Sequence, residues 1–592
     1  MSKAMGEPEV HRRFRVWAVL LTIVALCVHL YAWKRLSPTG ANGRRDYGAI
    51  RLADEGNYYV HCADRVADEG LRYLTTEDSL RSPPLPWLWL LLFGRSIILA
   101  RLANVVAILA ASWLIASIVR DRWGDSLALF SFALCALGYQ VVQFSATVLS
   151  EPPAFVFVCL ALWAVHRADW RDRSRYVILA GVATALAACA RPSLQLWPFA
   201  IAGVFAFVWL QRRLQRDAPP LAPGWTLRRV LVLLAVHCAL MAPWIVKNVI
   251  CFGVPKVANG FGAVFYLGSE FRTDGDEPVF SGMDWPNHTV QGPGGHMSLD
   301  GERRLVEAAK ANIRRRPVAW LQLAIRKVGR TLIGGPQWHF FPGATFREKR
   351  RLDGGAEASV VFLWWSVLGV IVTVCGVAGL FMRSRDGGGV FLVGIALAIY
   401  MTALHAATYA LPRFAMPMWP AFVLGSVALV GRRPGKLALV ALTLCWTSIV
   451  AYLLLAFAWR PVYEVSPDRS SFFAITAERT LNPADASGMT IELDDRRQAF
   501  NTCIFVTSRV EPVDGGRTVG AALELRNAGA SAGFDSASAI GFAMRADGRT
   551  HTYMLSVGLN RTWRERNWGA IRLRIDGVKP DQVDALRVQI GH

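Results

Sequence analysis

Apolar runs of about bilayer length recur along most of the chain. The first, residues 16–33, follows His11-Arg12-Arg13 and is not followed by a small-residue cleavage site. We therefore predict a retained first helix with its amino terminus inside, rather than a removed signal peptide. Further runs lie at 97–119, 126–146, 152–168, 176–190, 193–210, 229–246, 359–382, 389–407, 414–430 and 437–458. At roughly 20 residues each, the runs predict about eleven transmembrane helices.

The pattern changes after about residue 460. Residues alternate between apolar and polar and are punctuated by Gly and Asp turns, as at 518–525, 539–544, 552–557 and 570–575. This alternation is typical of strands. We predict a polytopic α-helical membrane domain over 1–460 and an all-β sandwich domain over 461–592.

The short loops between the apolar runs are rich in Arg, and cytoplasmic loops usually carry this bias. The loops predicted to lie inside are 120–122, 166–175, 211–229, 383–385 and 432–433. An odd number of spans then places the loops 34–84 and 247–358, and the tail after residue 459, on the outside. We expect an integral protein of a bacterial cytoplasmic membrane whose carboxyl-terminal domain lies outside.

Composition agrees with this topology. The 592 residues are 53% hydrophobic and 18% charged, with 22 Trp, which is too apolar for a soluble protein of this size. The formal net charge of +21 would suggest nucleic acid in a soluble protein. Here the basic residues set orientation in short loops and no nucleic-acid motif accompanies them, so we expect membrane lipids as partners and no nucleic acid.

Two adjacent carboxylates, Asp54 and Glu55, follow the first helix within Ala53-Asp54-Glu55-Gly56-Asn57-Tyr58-Tyr59. A low-dielectric membrane face can raise the pKa of a carboxyl group toward the range of a general base. Asp54 is the candidate base. The alternative is a solvated acidic pair in an ordinary loop.

Several charged residues sit where predicted helices reach the outer face. They are Glu151, Arg191, Lys247 and Arg413, and Arg101 lies about one turn inside its helix at the same level. Each alone is commonly a snorkelling or helix-end charge. Their convergence on one face is the stronger indication, because it brings carboxylates and cations to one depth.

The second outer loop predicts two helices, over 299–316 and from Pro317 onward. An apolar stripe of the second helix contains Leu321, Ile325, Val328 and Leu332, with Arg326, Lys327 and Arg330 elsewhere around it. This pattern favours an interfacial helix near lipid phosphates, and plain membrane anchoring is an equal alternative. His288 and His296 lack further ligands for a metal. Ten Cys show no metal-ligand spacing, and a Cys62–Cys251 disulfide is conceivable but left open.

Together, the order of these pieces resembles the GT-C superfamily of polyprenyl-phosphate-sugar-dependent glycosyltransferases, in its protein mannosyltransferase and aminoarabinose transferase branch. The similar pieces, in chain order, are ADEGNYY, PPLPWLWLLLFG, ARLAN, LSEPPAFVFVCLALW, ARPSLQLWP, PWIVKNVICFG and LPRFAMPMWP. They cover most of residues 50–425.

The resemblance implies an inverting displacement of a sugar from a polyprenyl-phosphate donor to a hydroxyl of a glycan, lipid or protein acceptor. Asp54 matches the family's base, beside Glu55. The leaving lipid phosphate would meet Arg191, Lys247 and Arg413, with Arg101 nearby; Lys247 stands where many relatives have Arg. Glu151 would orient the acceptor or hold a divalent ion, and no other cofactor is expected.

The carboxyl-terminal strands look like part of a galactose-binding-like jelly roll, for which carbohydrate binding and a structural role are both open. Two other functions compete with the glycosyltransferase. A transporter or flippase for a lipid-linked sugar predicts ionisable groups near the bilayer midplane and repeated halves. A non-catalytic envelope assembly protein with a sugar-binding domain is the second alternative.

Overall fold

The structure is a computed structural model that describes most of the helical region and the central strands of the carboxyl-terminal part. The described residues are 7–36, 47, 55–171, 173–214, 226–270, 290–292, 294–333, 356–384, 388–431, 462–465, 475–480, 490–492, 503–512, 518–527, 534–555, 568–576 and 578–591. Asp54, the predicted span 437–458 and the predicted boundary near residue 460 lie outside them. The chain divides into two compact units, one of 1–269, 290–336 and 364–452, the other of 270–289, 337–363 and 453–592.

The first unit is built of helices. In chain order they are α1 (Glu7–Leu36), α2 (His61–Glu69), α3 (Pro84–Leu92), α4 (Ile97–Trp123), α5 (Asp125–Ala136), α6 (Tyr139–Ser145), α7 (Glu151–Arg171), α8 (Ser174–Ala190), α9 (Trp197–Leu214), α10 (Leu227–Phe252), α11 (Phe261–Ser269), α12 (Leu299–Arg315), α13 (Pro317–Ile333), α14 (Ala356–Ser384), α15 (Gly389–Ala407) and α16 (Trp419–Val430). Shorter turns lie at Glu55–Val60, Gly70–Thr75, Glu77–Arg81, Pro192–Leu194 and Pro412–Met418.

The predicted polytopic helical fold is confirmed. Every predicted span that falls on described residues coincides with a helix or a pair of helical segments. Among the described residues, six helices are long and apolar enough to cross a membrane, or seven if the bent pair α5–α6 counts as one span. Helices α7 and α8 lie outside that set, and the count of about eleven stays a prediction.

The predicted span 126–146 is broken into α5 and α6, which meet at 55°. The break exposes carbonyls at the end of α5, where no further turn supplies their N–H partners. The Trp419 indole donates to the Leu134 carbonyl at 2.9 Å, and His29 of α1 hydrogen-bonds the Ala136 carbonyl at 3.0 Å and the Ser145 hydroxyl at 2.7 Å. Partners distant in sequence therefore stabilise a bend that local hydropathy does not indicate.

Helices α14 and α16 approach each other through glycine. A Cβ on Gly379 would overlap the Gly425 carbonyl, and one on Gly376 would overlap the Phe422 carbonyl. Small residues at such crossings let helix backbones pack closely where lipid removes the hydrophobic driving force.

Three of the loops predicted to lie inside, 120–122, 166–175 and 383–385, are next to helix ends that contact one another. Asp121, after the basic end of α4, contacts His166 at 3.0 Å and Arg167 at 3.0 Å. Asp169 accepts from the Gly389 backbone N–H at 2.9 Å, so the α7 and α15 ends also meet. These segments therefore share one end of the helices, as the predicted topology requires.

The second unit contains two antiparallel sheets, as predicted. Its strands are β1 (Val462–Val465), β2 (Ile475–Thr480), β3 (Thr490–Glu492), β4 (Cys503–Val510), β5 (Thr518–Asn527), β6 (Asp535–Arg545), β7 (Thr550–Leu555), β8 (Trp568–Ile575) and β9 (Val583–Gly591). The sheet orders are β1-β7-β4-β9-β2 and β3-β8-β5-β6. Apolar side chains of both sheets form one buried core, including Ile504 and Val506 from the first sheet and Leu523 and Leu573 from the second. Alternate residues pointing to one core are what a sandwich requires.

Candidate functional site

Three predicted site residues meet where α7, α8 and the turn Pro412–Met418 come together. Glu151 is the first residue of α7, and Pro152 and Pro153 fit the first turn because their missing N–H groups have no helical acceptor there. Arg191 follows α8 in an extended conformation, which the next residue, Pro192, favours. Arg413 comes directly after Pro412.

The Glu151 carboxylate joins the two arginines. Its Oε1 lies 2.8 Å from Arg191 Nη1 and 3.5 Å from Arg413 Nε. Its Oε2 accepts a hydrogen bond from the Ser150 hydroxyl at 3.1 Å. Both carboxylate oxygens are therefore engaged, and Glu151 holds the two guanidinium groups side by side.

Further contacts fix the orientation of Arg191. Its Nε donates to the Ser193 hydroxyl at 3.0 Å and its Nη1 to the Ser150 hydroxyl at 3.3 Å. The guanidinium carbon lies 4.6 Å from the centre of the Phe414 ring, and that of Arg413 lies 5.6 Å from the same ring. An aromatic face attracts cations, so Phe414 supports both arginines.

The cluster is almost dry. Glu151 is 2% exposed, Arg191 6% and Arg413 8%. Electrostatic interactions are stronger in such surroundings than in water. Planar guanidinium groups in a fixed orientation are well suited to phosphate, which they can bind through two parallel hydrogen bonds.

The other two predicted cations lie in different surroundings. Lys247 donates to the Leu74 carbonyl at 3.1 Å and lies 4.1 Å from the centre of the Trp244 ring. It makes no contact with the Glu151 cluster within the described part of the chain. Arg101 is completely buried and donates to the Tyr47 carbonyl at 2.7 Å. Both cations thus bind backbone of the first outer loop.

The acidic pair is described only in part. Asp54 lies outside the described residues, and Glu55 begins the π-helical turn Glu55–Val60. Helix α2 follows this turn, and Tyr59 of the turn and Ala63 of α2 are buried. Catalytic roles for Asp54 and Glu55 therefore stay predictions.

Asp78 organises the rest of that loop. It accepts from His61 Nε2 at 2.6 Å and from the Tyr73 hydroxyl at 3.0 Å, and it pairs with Arg81. Partial burial raises the pKa of Asp78, but the His61 hydrogen bond, the Arg81 charge and the Tyr73 hydrogen bond lower it more, so the net pKa is below its ordinary value. The loop is therefore cross-linked by an ionised carboxylate.

The two loops predicted to lie outside contact each other. Glu77 accepts from the Leu299 backbone N–H at 2.6 Å, and the Leu80 carbonyl accepts from the Asn259 N–H at 2.8 Å. Tyr58 hydrogen-bonds His296 at 2.9 Å. The first and second outer loops therefore lie at the same end of the helices.

One cation was assigned to the wrong surroundings. Lys327 was expected near lipid headgroups, but it is completely buried, whereas Leu321 and Ile325 of the expected apolar stripe are 56% and 65% exposed. The buried face of α13 instead contains Leu323, Ala324, Lys327 and Thr331. This helical spacing is visible in the sequence and places one lysine on an inward face.

No group of three or more His, Cys, Asp or Glu side chains that could hold a metal ion occurs among the described residues. Cys62 and Cys251 are free thiols. The Cys62 sulfur lies 3.3 Å from the Tyr73 hydroxyl, and burial raises the pKa of Cys62 to about 11. It is therefore a packed, protonated thiol.

The helices are those of a polytopic membrane protein, and one part of its sequence is similar to a family of glycosyltransferases. Residues 82–244 match the family model described as dolichyl-phosphate-mannose-protein mannosyltransferase, which confirms the predicted resemblance. The match includes Arg101, Glu151 and Arg191 and ends before Lys247 and Arg413. No curated protein matches the chain.

Two solved structures show a loose likeness. One is the oligosaccharyltransferase AglB from Archaeoglobus fulgidus, in complex with an inhibitory peptide and a dolichol-phosphate, with 14% identity, a TM-score of 0.39, and coverage of 77% of this chain and 54% of that chain. The other is ArnT from Cupriavidus metallidurans bound to undecaprenyl phosphate, with 15% identity, a TM-score of 0.31, and coverage of 70% and 77%. This chain thus spans about half the length of the archaeal enzyme, and neither likeness bears on the site.

Proposed function

We propose that the protein transfers a hexosyl or pentosyl group from a polyprenyl-phosphate donor to an acceptor hydroxyl at the extracytoplasmic face of a membrane. The observation that carries this proposal is the buried Glu151 carboxylate joining Arg191 and Arg413. The family match over residues 82–244 supports it independently.

In this reaction the acceptor oxygen attacks C1 of the sugar with inversion. The C1–O bond to the phosphate breaks, its electron pair stays on the phosphate oxygen, and the acceptor proton passes to Asp54. Charge develops on the leaving phosphate, and preorganised cations stabilise such charge most where water is excluded. Arg191 and Arg413 supply these cations.

Glu151 acts in this proposal as a positioning residue for the arginines. Its two oxygens already bind Arg191, Arg413 and Ser150. A carboxylate used in this way fixes the direction of two guanidinium groups before the donor arrives. Preorganisation of this kind removes an ordering cost from the transition state.

Purified protein in liposomes, supplied with a panel of radiolabelled undecaprenyl-phosphate sugars and membrane-extract acceptors, tests the proposal. We expect release of undecaprenyl phosphate coupled to labelling of one acceptor fraction, and loss of both in an Arg191→Met, Arg413→Met double variant. Matched substitution of the exposed pair Arg303 and Arg304 should leave both unchanged. Movement of intact donor across the bilayer without release of lipid phosphate would instead establish a flippase.

A further inference from the structure

Lys327 is a buried lysine near the arginine cluster, and it has no role in the reaction proposed above. Its ammonium group donates to the Gly268 carbonyl at 2.8 Å and to the Thr408 carbonyl at 2.5 Å. An ammonium group has three N–H donors, and these two acceptors are neutral. Lys327 forms no ion pair with any residue that the structure describes.

The carboxylate Glu270 lies two residues after Gly268 and is buried, but the described residues include no ion pair between it and Lys327. Helix α13 packs against α12, α15 and the turn Pro412–Met418, and Lys327 contacts the end of α11 through the Gly268 carbonyl. The titratable side chains of α11, α15 and the turn are Tyr266, Tyr400, His405 and Arg413. The arginines at the end of α12, Arg314 and Arg315, add only positive charge, and the carboxylates earlier in α12 pair with other cations.

The segment 405–414 connects the surroundings of Lys327 to the arginine cluster. Thr408, which accepts from Lys327, lies five residues before Arg413. The Tyr409 and Phe414 rings meet edge to face with centroids 5.6 Å apart, and His405 stacks on Phe414 at 4.7 Å. His405 lies within electrostatic range of both Arg191 and Lys327.

The position of Lys327 is specified by close packing. A Cβ on Gly268 would overlap the Thr408 carbonyl, so only glycine lets the two Lys327 acceptors approach each other. Burying a charge without a counter-ion is unfavourable, and such groups inside membrane proteins generally mark a function. Here the packing holds the ammonium group in one position.

We propose that Lys327 binds the leaving lipid phosphate and responds to the second negative charge that it acquires. This inference rests on the proposed function. The donor is a phosphodiester with one negative charge, and cleavage of its C1–O bond leaves a phosphate monoester that carries two. Lys327 is protonated when that monoester is bound, does not transfer its proton to it, and donates its third N–H to it.

The proposal predicts a measurable change in the protonation of Lys327 when the product binds. Burial lowers the pKa of Lys327 to about 7, so at pH 8 the empty site holds it mostly neutral. A bound dianion favours the charged form and raises that pKa. Binding of the product should therefore take up close to one proton at about pH 8 and much less at about pH 6.

The experiment is calorimetric titration of full-length protein in detergent with undecaprenyl phosphate, in buffers of different ionisation enthalpy. A parallel titration uses an undecaprenyl phosphodiester with one charge. We expect Lys327→Met to weaken monoester binding roughly tenfold or more and phosphodiester binding much less, and to abolish the proton uptake. Lys310→Met, at an exposed lysine paired with Glu307, should change neither.

The outcomes separate the two proposals. A wild-type protein that binds neither lipid overturns the proposed function together with this inference. Wild-type binding without proton uptake, or equal binding by a folded Lys327→Met protein, overturns the inference alone and makes Lys327 a packing element. If Lys327→Met fails to fold, Lys327→Arg replaces it. Arginine stays charged at pH 8, so proton uptake that is present in the wild-type protein and absent in Lys327→Arg supports the inference, and equal proton uptake in both overturns it.

Discussion

The guanidinium group of Arg191 lies 2.8 Å from the carboxylate of Glu151, and the two residues are 40 positions apart in the chain. Each stands beside a proline, Pro152 or Pro192, that fixes a helix terminus. A buried ion pair becomes strongly unfavourable when one partner is removed. The pair therefore connects the N-terminus of α7 to the C-terminus of α8.

This coupling predicts non-additive effects on stability. Glu151→Gln and Arg191→Met should each lower the free energy of unfolding by about 3–5 kcal/mol, because each leaves a buried charge with one partner fewer. The double variant should lose less than the sum of the two, by about 1–3 kcal/mol. Thermal unfolding of the four proteins in one detergent measures the coupling.

Arg65 and Glu69 provide the control for this cycle. They form an exposed i,i+4 pair at 2.7 Å on α2, and such pairs contribute only about 0.3–0.5 kcal/mol. Additive losses at Glu151 and Arg191 would show that the buried contact contributes no more than this surface pair.

Donor kinetics should separate the predicted cations. Replacing Arg191 or Arg413 by Ala removes a charge-assisted phosphate partner worth about 1.5–3 kcal/mol, so kcat/KM for the lipid-phosphate donor should fall roughly 10- to 100-fold. Lys247→Ala was also predicted to weaken donor use. Because Lys247 binds the Leu74 carbonyl, we expect a smaller loss in kcat/KM, caused by weaker anchoring of the first outer loop.

Measurement of KM and kcat for donor and acceptor separately checks this ranking. A larger donor effect at Lys247 than at both arginines would transfer the phosphate-binding role to Lys247. Unchanged donor kinetics in all three variants would leave them as anchoring charges.

Much of the fold was predictable from local patterns. The length of the apolar runs located the helices, because a segment that crosses lipid must hydrogen-bond its backbone N–H and C=O groups internally. Alternation of residues located the strands in the same way. The broken span at 126–146 was not predictable, because the Trp419 donor that stabilises the Leu134 carbonyl lies 285 positions away.

The candidate site was predictable to the extent that helix ends determine it. The ends of the apolar runs placed Glu151, Arg191 and Arg413 where helices reach the outer face, and the loop charges assigned those ends to one side. The position of Lys327 was missed because it was grouped with Arg326 and Arg330 as a cation of an interfacial helix near lipid phosphates. In a membrane protein an apolar face can point to lipid while a polar residue points inward.

The break between α5 and α6 gives a prediction about packing. Gly138 is followed by α6, and a Cβ there would overlap the Trp419 indole nitrogen. Gly138→Ala should lower the unfolding free energy by about 1–3 kcal/mol through overpacking. Gly203 in α9 has nothing within 4 Å of such a Cβ, so Gly203→Ala is the matched control and should be neutral or stabilising. Equal thermal unfolding of both variants would mean that the indole has room to move.

Topology can be measured directly. Reporter fusions after Arg229 and Arg433 should report the cytoplasm, and fusions near Gly292 and at His592 should report the outside, because the short basic loops set the orientation. An intracellular reporter signal at His592 would contradict the odd span count and separate the carboxyl-terminal domain from the proposed reaction face.

The proposed function depends most on the predicted base, Asp54. Asp54→Asn keeps the size and hydrogen-bonding capacity of the side chain but removes its ability to accept a proton. If Asp54 is the general base, transfer should fall roughly 100-fold or more, with little change in thermal unfolding. Glu55→Gln should cost less, because adjacent side chains leave the backbone in different directions.

Asp64 is the matched control, since it lies in the same loop, is half-exposed, and lies 3.5 Å from Arg95. Asp64→Asn should retain full transfer, which separates a loss of proton acceptance from a general effect of charge in the loop. The assay follows sugar release from the polyprenyl-phosphate donor, with monodispersity checked for each variant. A folded Asp54→Asn protein with near-wild-type transfer would refute the assignment and make Glu55 the next candidate. Because both oxygens of Glu151 bind other side chains in the buried cluster, loss of activity in Glu151→Gln should appear with loss of stability, whereas loss in Asp54→Asn should not.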